Sequence, residues 1–329
     1  MESDWRKVIA RYNHPDLERS VGQLASTLLL YLAAWYSMYR SLELSYALTL
    51  ALSVPAGGLL VRLFIIVHDC GHGSFFRSRK ACDAVGIVLG LLVCTPYFSW
   101  TRKHAAHHTT VGDLDRRGQG DVWTLTVEEY RRSPVWRRLW YRLYRSPFLM
   151  FGVGSFLFFL VFQRFAFRFG DRRHVLSVFA TDLVLAGLAA LLGAAIGIRA
   201  VILIQLPILF VAAAGGVWLF YVQHQFAGVS WVRHAQWDYR TVALEGSSFY
   251  RLPAVLRWFS GNIGFHHIHH LSPRIPNYKL AACHRENALF RSATTLRLRD
   301  SLASLSLRLW DESARRLIGF RQVGAVSGR

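Results

Sequence analysis

Four long apolar runs, at 24–39, 44–67, 175–198 and 201–222, interrupt an otherwise polar and basic chain. A membrane-spanning helix needs about 20 apolar residues, within a range of about 17–25. Runs two to four reach that length, and the first does so only when its polar edge at 20–23 is counted. Helices apolar on every side at this length are rare in soluble domains. Short turns at 40–43 and 197–199 join the runs in pairs, which predicts two membrane hairpins. Two further apolar stretches, 84–100 and 148–162, fall short of a full span, and Pro96 interrupts the first. Both are expected to lie along the membrane surface as interfacial or half-inserted helices. The fold class predicted is therefore all-α and integral to the membrane, with four transmembrane helices as two hairpins plus interfacial helices.

Composition agrees with this pattern. The 329 residues are 53% hydrophobic, with 22 Phe, 13 Tyr and 11 Trp. That is above the usual soluble average. A single domain over 1–329 is expected, with its core at about 45–290, a polar N-terminal segment at 1–20 and a basic cytoplasmic C-terminal tail at 291–329. Residues 1–19 show no short apolar core and no small-residue cleavage site, so no secretory signal is expected. Cys70, Cys82, Cys94 and Cys283 have no paired spacing, which argues against a disulfide framework and a thiolate metal site.

A formal charge of +19 invites a nucleic-acid reading, but its distribution argues against one. Arg6, Lys7, Arg11, Arg19, Arg62, Arg77, Arg79 and Lys80 flank the first hairpin, and basic groups at 131–145 and 164–173 precede the second. The hairpin turns carry little net charge. This is the positive-inside asymmetry, and it assigns the basic segments to the cytoplasmic side and to contact with anionic headgroups.

Histidine supplies the chemistry. Nine of the fourteen histidines fall in three blocks, which are His68-Asp69-Cys70-Gly71-His72, His104-Ala105-Ala106-His107-His108 and His266-His267-Ile268-His269-His270. Spacings of three and four place imidazoles on one helix face. Neutral imidazole ligates iron, zinc or copper. A single tetrahedral ion takes only about four ligands, so the supply points to two metals close together. The expected ligands are His68, His72, His104, His107, His108, His266, His269 and His270, with His224 added because it stands at the exit of the last apolar run. His267 points about 100° away on a helix and is assigned an outer or structural place. Asp69, Asp113, Asp115 and Asp121 are candidates to accept the outer imidazole N–H, although helix capping or pairing with Arg116 or Arg117 would suit each equally. Asn262 joins them as an outer candidate. His14, His174, His234 and His284 have no cluster partners and read as surface or interface residues. If all three blocks serve one site, they must emerge on the same membrane face, in a histidine-rich cytoplasmic cap that holds a dimetal site.

The three blocks, in this order and at these separations, resemble the membrane fatty acid desaturases. The intervening text Gly112-Asp113-Leu114-Asp115-Arg116-Arg117-Gly118, Gly120-Asp121-Val122-Trp123-Thr124 and Gly261-Asn262-Ile263-Gly264-Phe265 is similar to the bacterial and plant omega-6 (delta-12) type, as is Leu271-Ser272-Pro273-Arg274-Ile275-Pro276-Asn277-Tyr278. The likeness covers about 61–285, and the first block has three residues between its histidines, as in that type. The resemblance implies a histidine-held diiron centre (Fe2+/Fe3+) that uses O2 to introduce a cis double bond, with no catalytic residue beyond the metal centre. It also implies a fatty acyl lipid substrate, glycerolipid-linked by the closer likeness, and electrons from a separate ferredoxin or cytochrome-b5-type donor. The location implied is the bacterial inner membrane with the site on the cytoplasmic side. Phe75, Phe76, Trp100, Trp123 and Phe265 are candidate walls for the acyl chain, with plain aromatic packing the equal alternative. A histidine-ligated diiron hydroxylase acting on an alkane or carotenoid would share this plan. A metal transporter would need polar ligands inside the spans, and the runs here hold no histidine or cysteine and a single carboxylate, Asp182.

Overall fold

The computed structural model describes residues 5–118, 120–166 and 172–324. Parts of the polar N-terminal segment (1–4), of the basic group at 164–173 (167–171) and of the C-terminal tail (325–329) lie outside the described residues. Helices dominate, and the four strands are three residues long each.

A short helix α1 (Trp5–Ala10) precedes α2 (Leu17–Ser41), which Asp16 caps by accepting the Arg19 N–H. α3 (Tyr46–His72) returns against α2. It ends at Gly73, whose φ of 68° is the left-handed conformation that glycine adopts without strain. The first histidine block is therefore the last turn of α3. α4 (Arg79–Leu92) and α5 (Tyr97–Thr110) meet at 105°. Gly86 allows this fold-back, since a Cβ there would lie 2.2 Å from Tyr97 Cε2.

A Thr126–Glu129 capping box starts α6 (Val127–Arg132), followed by α7 (Val135–Tyr144) and, across a π-turn at Phe148–Val153, α8 (Gly154–Leu160). α9 (Arg172–Ile196) and α10 (Ile198–His224) form the second long hairpin. α3 is the central helix, packed against α2, α4 and α10. The outer faces of α9 and α10 leave Phe179, Leu183, Leu191 and Phe210 exposed, as lipid contact requires.

Among the described residues, α3, α9 and α10 are long and apolar enough to cross a membrane. The bent pairs 79–110 and 135–164 raise the number to five if each is one span. The expected first member, α2, has the length but not the apolarity of the other three, its run being diluted by Ser26, Thr27, Tyr31, Trp35, Tyr36 and Ser37. Bends of 105° and 59° show that neither bent pair is a straight crossing.

The remaining chain wraps the end of the bundle where α3, α5 and α10 terminate. It contains α11 (Tyr239–Glu245), α12 (Ala254–Phe259), α13 (His266–Leu271), α14 (Asn277–Glu286) and α15 (Leu298–Ala303). β1 (Phe249–Arg251) pairs in parallel with β2 (Thr295–Arg297), and β3 (Leu309–Asp311) pairs antiparallel with β4 (Arg316–Ile318). The C-terminal segment thus carries regular structure between Thr295 and Gln322. Trp310 is buried against Trp231, and Leu309 and Ile318 pack with Leu125 and Tyr141.

Candidate metal centre

Four helix ends deliver the histidines. His68 and His72 close α3, His104, His107 and His108 close α5, His224 is the last residue of α10, and His266, His269 and His270 lie on α13. All nine sequence-predicted ligands meet, in two adjoining groups. One is His68, His72, His104, His108 and His269; the other is His107, His224, His266 and His270. Within each group the donor atoms lie within 4.8 Å of one another. The groups touch where the His108 and His270 rings stack at 4.2 Å.

The nitrogen pattern fits metal binding. Nε2 atoms approach one another in pairs: His108–His269 and His224–His266 at 3.0 Å, His104–His108 and His266–His270 at 3.1 Å, and His107–His224 at 3.2 Å. Two nitrogens each about 2.0–2.1 Å from one ion at a right angle are about 3 Å apart. His224 Nδ1 donates to the Gly246 carbonyl at 3.1 Å, and His107 Nδ1 donates to the Asp121 carboxylate at 2.5 Å. A neutral imidazole has one N–H. When both rings are neutral, as metal ligands must be, the Nε2 lone pairs of His107 and His224 turn toward the same point, where one cation could take both. Burial first, and then the neighbouring imidazoles, hold His266, His269 and His270 well below the ordinary imidazole range. They are neutral, as ligands must be.

The outer candidates separate. Asp69 accepts from His68 Nδ1 at 3.2 Å, and its other oxygen takes the Asn277 backbone N–H and Nδ2 at 2.7 and 2.8 Å. Asp121 holds His107. Asp113 and Asp115 make no hydrogen bond to a clustered histidine among the described residues. Asp113 accepts from His234 Nδ1 at 2.7 Å, and Asp115 pairs with Arg233 and the His234 backbone N–H. The loop after Gly112, whose φ is 73°, turns both carboxylates toward the 233–234 segment. His234 is correspondingly anchored, not a free surface residue. Asn262 contributes backbone shape: its φ is 59° and its carbonyl accepts the Phe265 N–H, while no side-chain hydrogen bond to a clustered histidine occurs among the described residues. His267 is fully buried on the far side of α13, with its ring 5.4 Å from His284 and outside both groups.

Of the five candidate wall aromatics, Trp100 touches the site, stacking on His104 at 4.6 Å. Phe75 packs on Phe76 and Tyr278, Trp123 on Tyr141 and Tyr144, and Phe265 on Phe249. Sequence reasoning missed Phe220, whose ring lies 5.1 Å from His107 and 5.4 Å from His224. Its place four residues before His224 on one helix was the signal that could have found it. Asn277 and the Gly246 carbonyl were also missed, because their contacts cross long stretches of chain.

A model of the fatty acid desaturase family matches residues 43–297. A fatty acid desaturase of Bacillus subtilis is 42% identical over 317 residues, covering 96% of this chain and 90% of that protein. An sn-1 oleoyl-lipid 12-desaturase of Synechocystis sp. is 29% identical over 237 residues, covering 69% of this chain and 65% of that protein. An oleoyl-12-hydroxylase of Ricinus communis is 28% identical over 265 residues, covering 73% and 65%. With the matched segment spanning all three histidine blocks and most of the chain, this protein belongs to the fatty acid desaturase family.

Proposed function

We propose that this enzyme introduces a cis double bond into a glycerolipid-linked acyl chain, using two irons held by nine histidines. The observation that carries the reading is the convergence of those imidazoles into two adjoining groups of ligand nitrogens. His68, His72, His104, His108 and His269 would hold one iron; His107, His224, His266 and His270 would hold the other. Histidine nitrogen suits iron among several metals, and the family match favours iron. When bound, the iron pair supplies the O2-dependent redox power that removal of two hydrogens from an unactivated alkyl chain requires.

The chain's own residues orient and shield. Asp69, Asp121 and the Gly246 carbonyl hold the Nδ1–H of His68, His107 and His224, which leaves each Nε2 turned inward. Trp100 and Phe220 cover the rings on their apolar sides and limit water. The balanced reaction consumes one O2, two electrons and two protons, and yields the alkene and two waters. Electrons would come from a separate ferredoxin or cytochrome-b5-type protein. The Lys/Arg asymmetry supports a site on the cytoplasmic side of the membrane, read here as a bacterial inner membrane. Because His72 and His104 share one group, both ends of the 79–110 pair belong on one face, which favours re-entry over crossing. The glycerolipid reading draws support from the relative named as an oleoyl-lipid desaturase.

Expression in a host with a simple fatty-acid profile, with lipids analysed by mass spectrometry, tests this reading. A new double bond in glycerolipid acyl chains is expected, with about two irons per chain in the purified protein. A hydroxylated product, the chemistry named for the Ricinus relative, or a single zinc would overturn it.

A further inference from the structure

We propose that a cavity at the α6–α7 junction binds the phosphate of an anionic phospholipid headgroup, and so selects the lipid presented to the metal centre. This rests on the glycerolipid reading above. The cavity has a volume of about 500 Å3, and its lining includes Arg117, Trp123, Glu129, Arg132 and Arg137. Three guanidinium groups thus face one carboxylate. Arg117 and Glu129 pair through bonds of 3.0 and 2.5 Å, and the Leu114 and Thr124 carbonyls take two more of the five Arg117 N–H donors at 2.7 and 2.8 Å. Arg117 therefore shapes the wall. Among the described residues Arg132 is held only by Glu128, in a pair whose side chains are 80% and 55% exposed, and such pairs contribute little. Arg137 has no hydrogen bond or ion pair among the described residues. Two cationic forks are left for a ligand, and planar guanidinium matches phosphate oxygens in paired contacts.

α7 sets the depth of this cavity. Val135, Trp136, Leu139, Trp140 and Leu143 form one exposed stripe on it, with the two indoles 70% and 55% exposed. In a membrane protein, a short helix with an apolar stripe rich in Trp and a basic opposite side lies at the boundary of headgroups and acyl chains. The cavity at its start then opens at the level of lipid phosphates. It also adjoins the chemistry, since Arg117 lines a second, smaller cavity together with Asp121, Phe220 and His224.

Native mass spectrometry of the full-length, iron-loaded enzyme in detergent tests the proposal. Dihexanoyl-phosphatidylglycerol should bind at least about tenfold more tightly than neutral dihexanoylglycerol. The R132E/R137E double variant should lose that preference while keeping its iron content and melting temperature, R132K/R137K should keep most of it, and R138E, outside the cavity, should leave it unchanged. Inorganic phosphate should displace the lipid only at far higher concentration. Equal binding of the charged and neutral lipids, an unaffected R132E/R137E variant, or phosphate binding as tight as the lipid would overturn the site. Arginine-dependent binding in an enzyme that desaturates no glycerolipid would refute the substrate reading and leave this site standing.

Discussion

The Nε2 atoms of His107 and His224 lie 3.2 Å apart across 117 positions of chain. Each ring has its Nδ1–H already donated, one to Asp121 and the other to Gly246. Both Nε2 atoms are thereby turned to one point in a buried site, as two ligands of one ion would be. His224→Ala should accordingly reduce iron content and lower activity by at least about a hundredfold, as His107→Ala should, since even outer partners of metal ligands are worth about 10–100-fold. His234→Ala should keep most activity and cost about 1 kcal/mol of stability, because its half-exposed ring supports Asp113 alone among the acids near the blocks. Iron analysis beside whole-cell product ratios checks both. Normal iron in the His224 variant would remove it from the ligand set.

Asp121→Asn replaces an acceptor-only group with one that can also donate to His107 Nδ1. The imidazole could then turn its proton toward the metal side. Iron affinity should fall by about 10–100-fold, with little change in the melting temperature of the metal-free protein. Equal iron affinity in variant and parent would show that Asp121 does not orient His107.

Asp69→Ala should behave differently, because Asp69 also holds two donors of Asn277 and so ties α3 to α14. Removing it leaves buried N–H groups without an acceptor, at about 1–3 kcal/mol each. Both iron content and the melting temperature should drop. A variant that melts like the parent would refute the structural half of this role.

Gly264→Ala would place a Cβ 2.4 Å from the Tyr250 carbonyl oxygen. That oxygen belongs to β1 and cannot swing aside as a side-chain tip would. The Tyr250 N–H bond to the Gly264 carbonyl, at 2.7 Å, fixes the same approach. The turn leading into α13 must shift, carrying His266, His269 and His270 with it. Iron content should fall sharply even though no ligand is changed; full iron loading would contradict this account.

Cysteines placed singly at Arg40, Arg131, Gly197 and Arg291 in a chain lacking the native four should label by side. Positions 131 and 291 are expected on the cytoplasmic face, with 40 and 197 opposite. Finding 131 and 291 on different faces would be incompatible with one shared metal site.

The apolarity of α3, α9 and α10 and the three-and-four spacing of the histidine blocks are local properties, so the sequence by itself determined the membrane class, the two adjoining groups' membership as a set, and His224 as a further candidate. Which group each imidazole joins was decided by packing. On a helix, residues four apart differ by about 40° and residues three apart by about 60° in the other sense. His104 and His108 therefore share one group while His107 crosses to the other, and α13 reverses the assignment, sending His266 and His270 to the second group and His269 to the first. Asp113 and Asp121 stand in one short loop beside the same block, yet one holds His234 and the other His107. Nothing in their spacing distinguishes them. The choice rests on where the 233–234 segment and the end of α10 come to lie, and contacts made across a hundred or more residues exist only once the helices have docked.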